Sequence, residues 1–351
     1  MPEAKLIQVA DLDETAWLTI PGDTGDFEES KDADEDTIFG QAWTSNQPTL
    51  ASWTVGSNAR YRGFAGYKSA LRRTGTPTSF TGVSMSEEEP YSNTYVVDDQ
   101  TNTPWDWTSD IVIEDDGTEV AAENIVEIDP LFGRVVFTED YTVSGDITAS
   151  GDRFPMETFG RANQFDLSQS ADTTPTTSFE DAQDNGGYMT MRPTLRTAEL
   201  SLTSFYREEN DFSTPLRDEE QFIMEIDPAG NGESLARGIF RISNESNTGD
   251  VGGDEETSVD FVLSVPDGFR PFSWLHEANS TIPEALKLII DSWAAGENIK
   301  VRYLPLGADK EGRKGEAVIT DLSMSSDVEG LVEFDLSFEG TGAVEDVNIT
   351  T

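Results

Sequence analysis

Residues Gly238–Leu263, "GIFRISNESNTGDVGGDEETSVDFVL", recur without a gap as Gly315–Gly340, "GEAVITDLSMSSDVEGLVEFDLSFEG". At a constant spacing of 77 residues, Gly238 matches Gly315, Ile242 matches Ile319, Ser246 matches Ser323 and Phe261 matches Phe338. Asp250, Val251, Gly253 and Glu256 likewise match Asp327, Val328, Gly330 and Glu333. In the second stretch Val332, Phe334, Leu336 and Phe338 alternate with Glu333, Asp335, Ser337 and Glu339. Strand side chains alternate between faces, so this segment has one apolar and one acidic face. In the first stretch Glu256, Ser258 and Asp260 take the polar register, and Val259, Phe261 and Leu263 the buried one. Each stretch reads as a β-hairpin, with Gly253 or Gly330 free to take a positive φ at its bend. A chain built this way is expected to be mainly β, with a duplicated hairpin giving four strands of one sheet and a shared acidic face.

The chain has 351 residues, with 68 Asp and Glu against 23 Lys and Arg and a formal charge of −45. Such a charge repels itself in dilute buffer, whereas molar salt shortens the screening length to about 3 Å. Seven of the basic residues are lysines. Acid enrichment with few lysines reads as adaptation to a highly saline cytoplasm, as in halophilic archaea, and makes most carboxylates solvated surface. Seven Trp and 19 Phe oppose disorder. The absence of cysteine excludes disulfides and thiolate chemistry. The opening "MPEAKLIQVADLDETAW" lacks the apolar core of a secretory signal. No apolar run is long enough to span a membrane, so the expectation is a soluble protein used or assembled in the cytosol.

Along the chain, "DTGDFEESKDADEDT" reads as an acidic, hydrated arm. Asp32, Asp34 and Asp36 alternate as in a calcium loop, but Thr37 and Trp43 stand where the turn glycine and closing glutamate belong, so no metal is expected. Short strands fill about 40–153, among them "TYVVDD", "DIVIEDDGTEV" and "NIVEIDPLFGRVVF". The segment 60–73 concentrates Arg60, Arg62, Lys68, Arg72 and Arg73. It reads either as a docking surface for an acidic neighbour or as solvated charge; nucleic acid is disfavoured by the overall field. Lys310, Arg313 and Lys314 form a second basic loop. One helix is expected at 281–295, capped by Ser280 or Thr281, with Pro283 in its first turn and Gly296 at its end. Its stripe of Ile282, Leu286, Ile289 and Trp293 should pack on a sheet.

No catalytic constellation stands out. His276 is the sole histidine, and no nucleophile elbow, phosphate loop or zinc motif is present. Carboxylates are too abundant to mark a glycosidase pair. The reading is non-enzymatic, with no cofactor, and His276 is expected to be structural.

The segment "GEAVITDLSMSSDVEGLVEFDLSFEGTG" resembles the closing hairpin of major tail tube proteins of long-tailed, siphovirus-like viruses of bacteria and archaea. The order of parts resembles them too: a strand-rich region, "RGIFRISNESNTGDVGG", one helix, then that hairpin. The likeness covers about 154–344. "YRGFAGYKSALRRTGTPTSFTGVSM" and "IDPLFGRVVF" also look like N-terminal parts of larger tail proteins. With the halophilic composition, the resemblance implies a tailed virus or provirus of a haloarchaeon. It implies a tail-tube-like β-sandwich or barrel with one packed helix and two long repeated hairpins at 154–351, preceded by an arm and β-rich outer region at 1–153. It further implies hexameric rings that stack head to tail in the virion tail, assembled in the host cytoplasm. Each subunit would lend two hairpins to an inner barrel through which viral DNA passes without specific binding. Glu256, Asp260, Glu333, Asp335 and Glu339 are then lumen candidates. Arg60, Arg62, Lys68, Arg72, Arg73, Lys310, Arg313 and Lys314 are candidates for subunit or ring contacts. Implied partners are further copies of the chain, a tape measure protein, a tail terminator and baseplate proteins, with no membrane. The alternatives are another ring of the same fold, such as a terminator or baseplate ring, a carbohydrate-binding or cell-surface β-protein of a halophile, and a carboxylate hydrolase.

Overall fold

A computed structural model of the chain describes residues 5–22, 24–36, 45–61, 66–71, 76–88, 93–156, 162–178, 187–205, 212–228, 232, 234–248, 256–266, 268–276, 280, 282–307, 311–327 and 332–347. The first strands are β1 (Leu6–Ala10), β2 (Leu18–Thr19), β3 (Gly25–Asp36), β4 (Ser45–Tyr61), β5 (Gly66–Leu71), β6 (Thr78–Glu87) and β7 (Thr94–Val97). There follow β8 (Val112–Asp115), β9 (Thr118–Glu119), β10 (Ile125–Asp129), β11 (Arg134–Phe137), β12 (Ile147–Arg153), β13 (Ala162–Pro175) and β14 (Met191–Phe205). After helix α1 (Ser213–Arg217) come β15 (Gln221–Asp227), β16 (Ser234–Thr248), β17 (Glu256–Leu263) and β18 (Phe272–His276). Helix α2 (Glu284–Ala295) precedes β19 (Ile299–Leu304), β20 (Gly312–Asp327), β21 (Val332–Gly340) and β22 (Glu345–Val347). The protein is mainly β.

Two compact units form, and they are interleaved along the chain. The first comprises Met1–Gly63, Asp166–Ala198 and Thr281–Thr351, and the second Phe64–Phe165 and Glu199–Ser280. The division expected at 153/154 coincides with the end of β12, but it does not separate these units. Instead β1 to β4 share a unit with the C-terminal hairpin.

In the first unit, β1 lies between β2 and β19. From β19 the antiparallel pairing continues to β20, β21, β4 and β3. β22 adds to β20, and β13 lies between β20 and β14. The apolar face of β21 buries Val332, Phe334, Leu336 and Phe338, each at most 2% exposed. Helix α2 lies against β1, β2 and β20 and buries the expected stripe of Ile282, Leu286, Ile289 and Trp293. Gly296 ends it in the left-handed region at φ 76°. Arg196 reinforces that end, its guanidinium donating to the carbonyls of Trp293 and Ala294, where the helix dipole favours a cation.

The N-terminus of α2 departs from expectation. Pro283 is extended at ψ 136° and occupies the capping position itself, with no side-chain cap. Its carbonyl accepts from the backbone N–H of Leu286 and Lys287, and a proline costs little there because it has no N–H to satisfy. Ser280 spends its hydroxyl elsewhere, 2.6 Å from Ser234 Oγ. A second, five-residue helix, α1, also escaped the sequence pattern, being too short to show a 3.6-residue period.

In the second unit, Glu199–Phe205 of β14 pairs with β17, which pairs with β16. β16 in turn pairs with β15, and β15 with β5. β18 also pairs with β16. The unit further contains a seven-stranded antiparallel sheet in the order β10-β11-β7-β6-β12-β8-β9. Its core holds Phe80, Trp105, Ile113, Val135, Phe137 and Ile147. Two arginines tie this sheet to the strands that follow it. Arg134 on β11 pairs with Glu88 and Asp129 and donates to Ser273 Oγ and the Trp274 carbonyl of β18. Arg237 on β16 pairs with Glu225 on β15 and donates to Thr103 Oγ1 and the Leu131 carbonyl.

Within "DTGDFEESKDADEDT", expected as a loop-like arm, Gly25–Asp36 forms β3 instead, paired with β4 from Gly25 opposite Ser57 to Asp36 opposite Ser45. Asp32, Asp34 and Asp36 lie on that strand, and their side chains are outside the described residues. The bend elements at Gly253 and Gly330 also lie outside them.

Candidate functional site: the carboxylate faces of the hairpins

The repeated stretches form the hairpins β16–β17 and β20–β21, and the agreement extends to the backbone. Ile242 stands opposite Phe261, and Ile319 opposite Phe338. Each leading strand then bulges by one residue, at Ser243 and at Thr320, before pairing resumes at Asn244 with Asp260 and at Asp321 with Ser337. The bulged hydroxyls make the same bond: Ser243 Oγ donates to the Asp260 carbonyl at 3.0 Å, and Thr320 Oγ1 to the Ser337 carbonyl at 3.2 Å. A bulge shifts the side-chain alternation by one residue, which is why the faces of the leading strands could not be assigned from sequence.

The polar face of β20–β21 carries Glu333, Asp335 and Glu339 as expected. Glu333 and Asp335 are exposed, while Glu339 is half-buried and accepts from Thr173 Oγ1 of β13 at 2.6 Å. Directly opposite residues of antiparallel strands share a face, so the register adds acids that the sequence reading missed. Asp321 lies opposite Ser337, and Asp26 and Glu28 of β3 stand opposite Gly56 and Thr54 of β4, which face Ser337 and Glu339. Asp26 reaches across Gly56, where a Cβ would crowd its carboxylate. Asp166 of β13 joins them. Its pKa is raised, first by loss of water on this crowded face and then by the negative charges of Asp335 and Asp321. The missed residues had a signal only in the pairing, not in their local pattern.

In the second unit, Glu256 is exposed and Asp260 half-buried. Asp260 accepts from Ser201 Oγ at 2.6 Å and Asn244 Nδ2 at 3.0 Å. The rest of this face is largely hydroxyl and amide, with Thr203 and Ser258 Oγ atoms 3.4 Å apart. Val259 and Phe261 are buried as expected, while Leu263 is half-buried.

The basic candidates are scattered. Arg60 stands opposite Glu333 in the β4–β21 register and Lys68 opposite Glu225 in the β5–β15 register, both with undescribed side chains. Arg62, Arg72, Arg73 and Lys310 lie outside the described residues. Arg313 pairs with Asp346 at 2.6 Å. Lys314 pairs with Glu14 at 2.9 Å and Glu345 at 3.5 Å, and the hydrogen bond to Glu14 leads in raising its pKa.

His276 has its Nδ1 2.9 Å from Ser234 Oγ and its ring stacked on Trp274. Among the described residues no group of three or more His, Cys, Asp or Glu is placed to hold a metal ion. No described helix is long and apolar enough to cross a membrane.

No family model matches the chain, and no curated protein matches it. Solved structures do. A chain from the tail of an empty gene transfer agent particle, reconstructed by helical refinement with C6 symmetry, matches at TM-score 0.29 and 17% identity, over 34% of this chain and 86% of that one. A chain of the virion of a native gene transfer agent particle matches at TM-score 0.28 and 17% identity, over 34% and 88%.

Proposed function

We propose that this chain is a structural virion protein, a tail tube subunit whose copies form stacked rings around a channel for viral DNA. The observation that carries the reading is the β20–β21 hairpin, whose strand β21 is buried at every second residue from Val332 to Gly340, while Glu333, Asp335 and Glu339 line its opposite face. An apolar back and a carboxylate front suit a wall that is packed on one side and meets a polyanion on the other. Carboxylates repel phosphates, so DNA passes without adhering, an effect that is short-ranged at molar salt. On this reading Glu256 and Asp260 of the second hairpin also face the channel.

The sixfold ring implied by the resemblance has six pairs of hairpins, or about 24 strands. At about 4.8 Å between strands and a tilt near 40°, its backbone diameter is roughly 48 Å. Duplex DNA, about 20 Å wide by its groove depths, fits inside with water. Ring closure also occupies strand edges that would otherwise invite aggregation, and head-to-tail stacking of rings extends them into a filament. The basic segment 60–73 and the acidic strand β3 are the proposed charged contacts in that assembly. A haloarchaeal virus is the proposed source of the salt-adapted composition.

Negative-stain microscopy of the purified chain in molar salt tests the reading. Stacked, hollow rings are expected. Single capped rings would favour a terminator or baseplate component, and a monomer would end the proposal. The lumen assignment is tested separately by combining Glu256→Gln, Asp260→Asn, Glu333→Gln, Asp335→Asn and Glu339→Gln. Unchanged assembly together with unchanged DNA ejection would remove it.

A further inference from the structure

The correspondence seen in the hairpins extends to the elements around them. Helices α1 and α2 each end at a left-handed residue, Glu219 at φ 53° and Gly296 at φ 76°, again 77 residues apart. β15 meets β16 with Met224 opposite Gly238, and β19 meets β20 with Val301 opposite Gly315. On their other edges Ser273 of β18 faces Arg237, as Glu345 of β22 faces Lys314. Ser69 of β5 stands opposite Met224, as Val9 of β1 stands opposite Val301. Leu200 of β14 stands opposite Phe261, as Val55 of β4 stands opposite Phe338. β13 neighbours β14 as β3 neighbours β4. One set of elements therefore occurs twice. The second copy (β5, β13, β14, α1, β15 to β18) is inserted into the first (β1, β3, β4, α2, β19 to β22) between β4 and α2.

Among the described residues the pairing of β13 with β20 lacks a counterpart. Beyond Ala317, the edge of β20 that β19 occupies earlier is taken by β13, with Gln169 Nε2 donating to the Leu322 carbonyl at 3.2 Å. Ser323 and Ser168 meet there at 3.4 Å. The equivalent edge of β16, Ile242–Thr248, has no strand beside it among the described residues. Accordingly Ser243, Asn244, Ser246 and Asn247 are exposed, whereas Thr320, Asp321 and Ser323 are half-buried and Met324 is buried. β3, the counterpart of β13, has β4 on one edge and no strand on the other among the described residues.

We propose that β3 of one chain pairs along Ile242–Thr248 of β16 in the next, reproducing between chains the β13–β20 pairing made within one. Each chain then supplies eight hairpin strands: β3, β4, β13, β14, β16, β17, β20 and β21. Resting on the tube reading for the total of about 24 strands, the ring closes with three chains that mimic six, not with six.

The chain has no cysteine, so engineered pairs report cleanly. Ser246→Cys is combined in turn with Glu28→Cys, Glu29→Cys and Ser30→Cys. Each double variant is oxidised with copper phenanthroline in molar salt and run on a denaturing gel beside its single-cysteine parents. At least one double variant is expected to give a ladder of one, two and three linked chains that stops at three. Interchain products from none of them, while the wild type still forms tubes, overturn the edge pairing and leave the tube reading standing. A ladder running past three overturns the three-chain ring. A ladder ending at three in a protein that forms no tubes supports the edge pairing and overturns the tube reading instead.

Discussion

The indole of Trp53 lies so close over Gly340 that a Cβ on that glycine would fall inside the van der Waals surface of the ring. The same indole covers Gly315. Trp53 is 2% exposed and donates from Nε1 to the Gly342 carbonyl at 3.1 Å. Gly238, the counterpart of Gly315, is covered in the same way by Phe240 and Phe272. This contact accounts for a glycine at both repeat positions. Gly340→Ala is expected to lower stability by about 1–3 kcal/mol through overpacking, read as a lower urea midpoint in molar salt.

Glu219 and Gly296 terminate their helices in the same left-handed conformation, which an L side chain adopts at a cost of about 1 kcal/mol. Glu219→Gly is therefore expected to raise the melting temperature slightly, and Gly296→Ala to lower it. Thermal unfolding of the two single variants checks the opposite signs.

Arg237 and Glu225 form an ion pair in which both side chains are at most 5% exposed. Burial is the leading influence on Arg237 and lowers its pKa, against the opposing pull of Glu225. Arg237→Met strands a buried carboxylate and is expected to cost about 3–5 kcal/mol, whereas adding Glu225→Leu should recover most of that loss. Chemical unfolding of the single and double variants measures the difference.

Two carboxylates should impose opposite pH dependence. Burial alone would raise Asp115, but donors from Ser144, Tyr141 and Gly145 outweigh it and hold its pKa low. Its contribution is present above the unfolded value of about 3.9 and lost as pH falls through the lower folded one. Asp115→Asn should thus weaken the protein at neutral pH and flatten its acid limb. Asp166 has a raised folded pKa, so its contribution is present below the unfolded value and lost as pH rises through the folded one. Asp166→Asn should stabilise the protein at neutral pH, more so at low salt, as read from unfolding midpoints across pH.

The alternation of Val332 to Glu339 and the helical stripe from Ile282 to Trp293 are local periodicities, and they determined the β-strand and helix faces before any contact was known. The 77-residue spacing likewise disclosed the paired hairpins, because nothing interrupts the chain between corresponding residues there. Beyond that the sequence was silent, for two physical reasons. The matched elements that precede the helices lie at unequal spacings, 60 residues from Val9 to Ser69 and 145 from Val55 to Leu200, because the second copy and its seven-stranded sheet interrupt the first. Strand edges, moreover, meet through backbone N–H and C=O groups that every residue but proline carries alike. Only the tertiary structure therefore decided that β13 flanks β20, that Asp166, Asp321 and Asp335 crowd one face, and that β16 has no strand beside Ile242–Thr248 among the described residues.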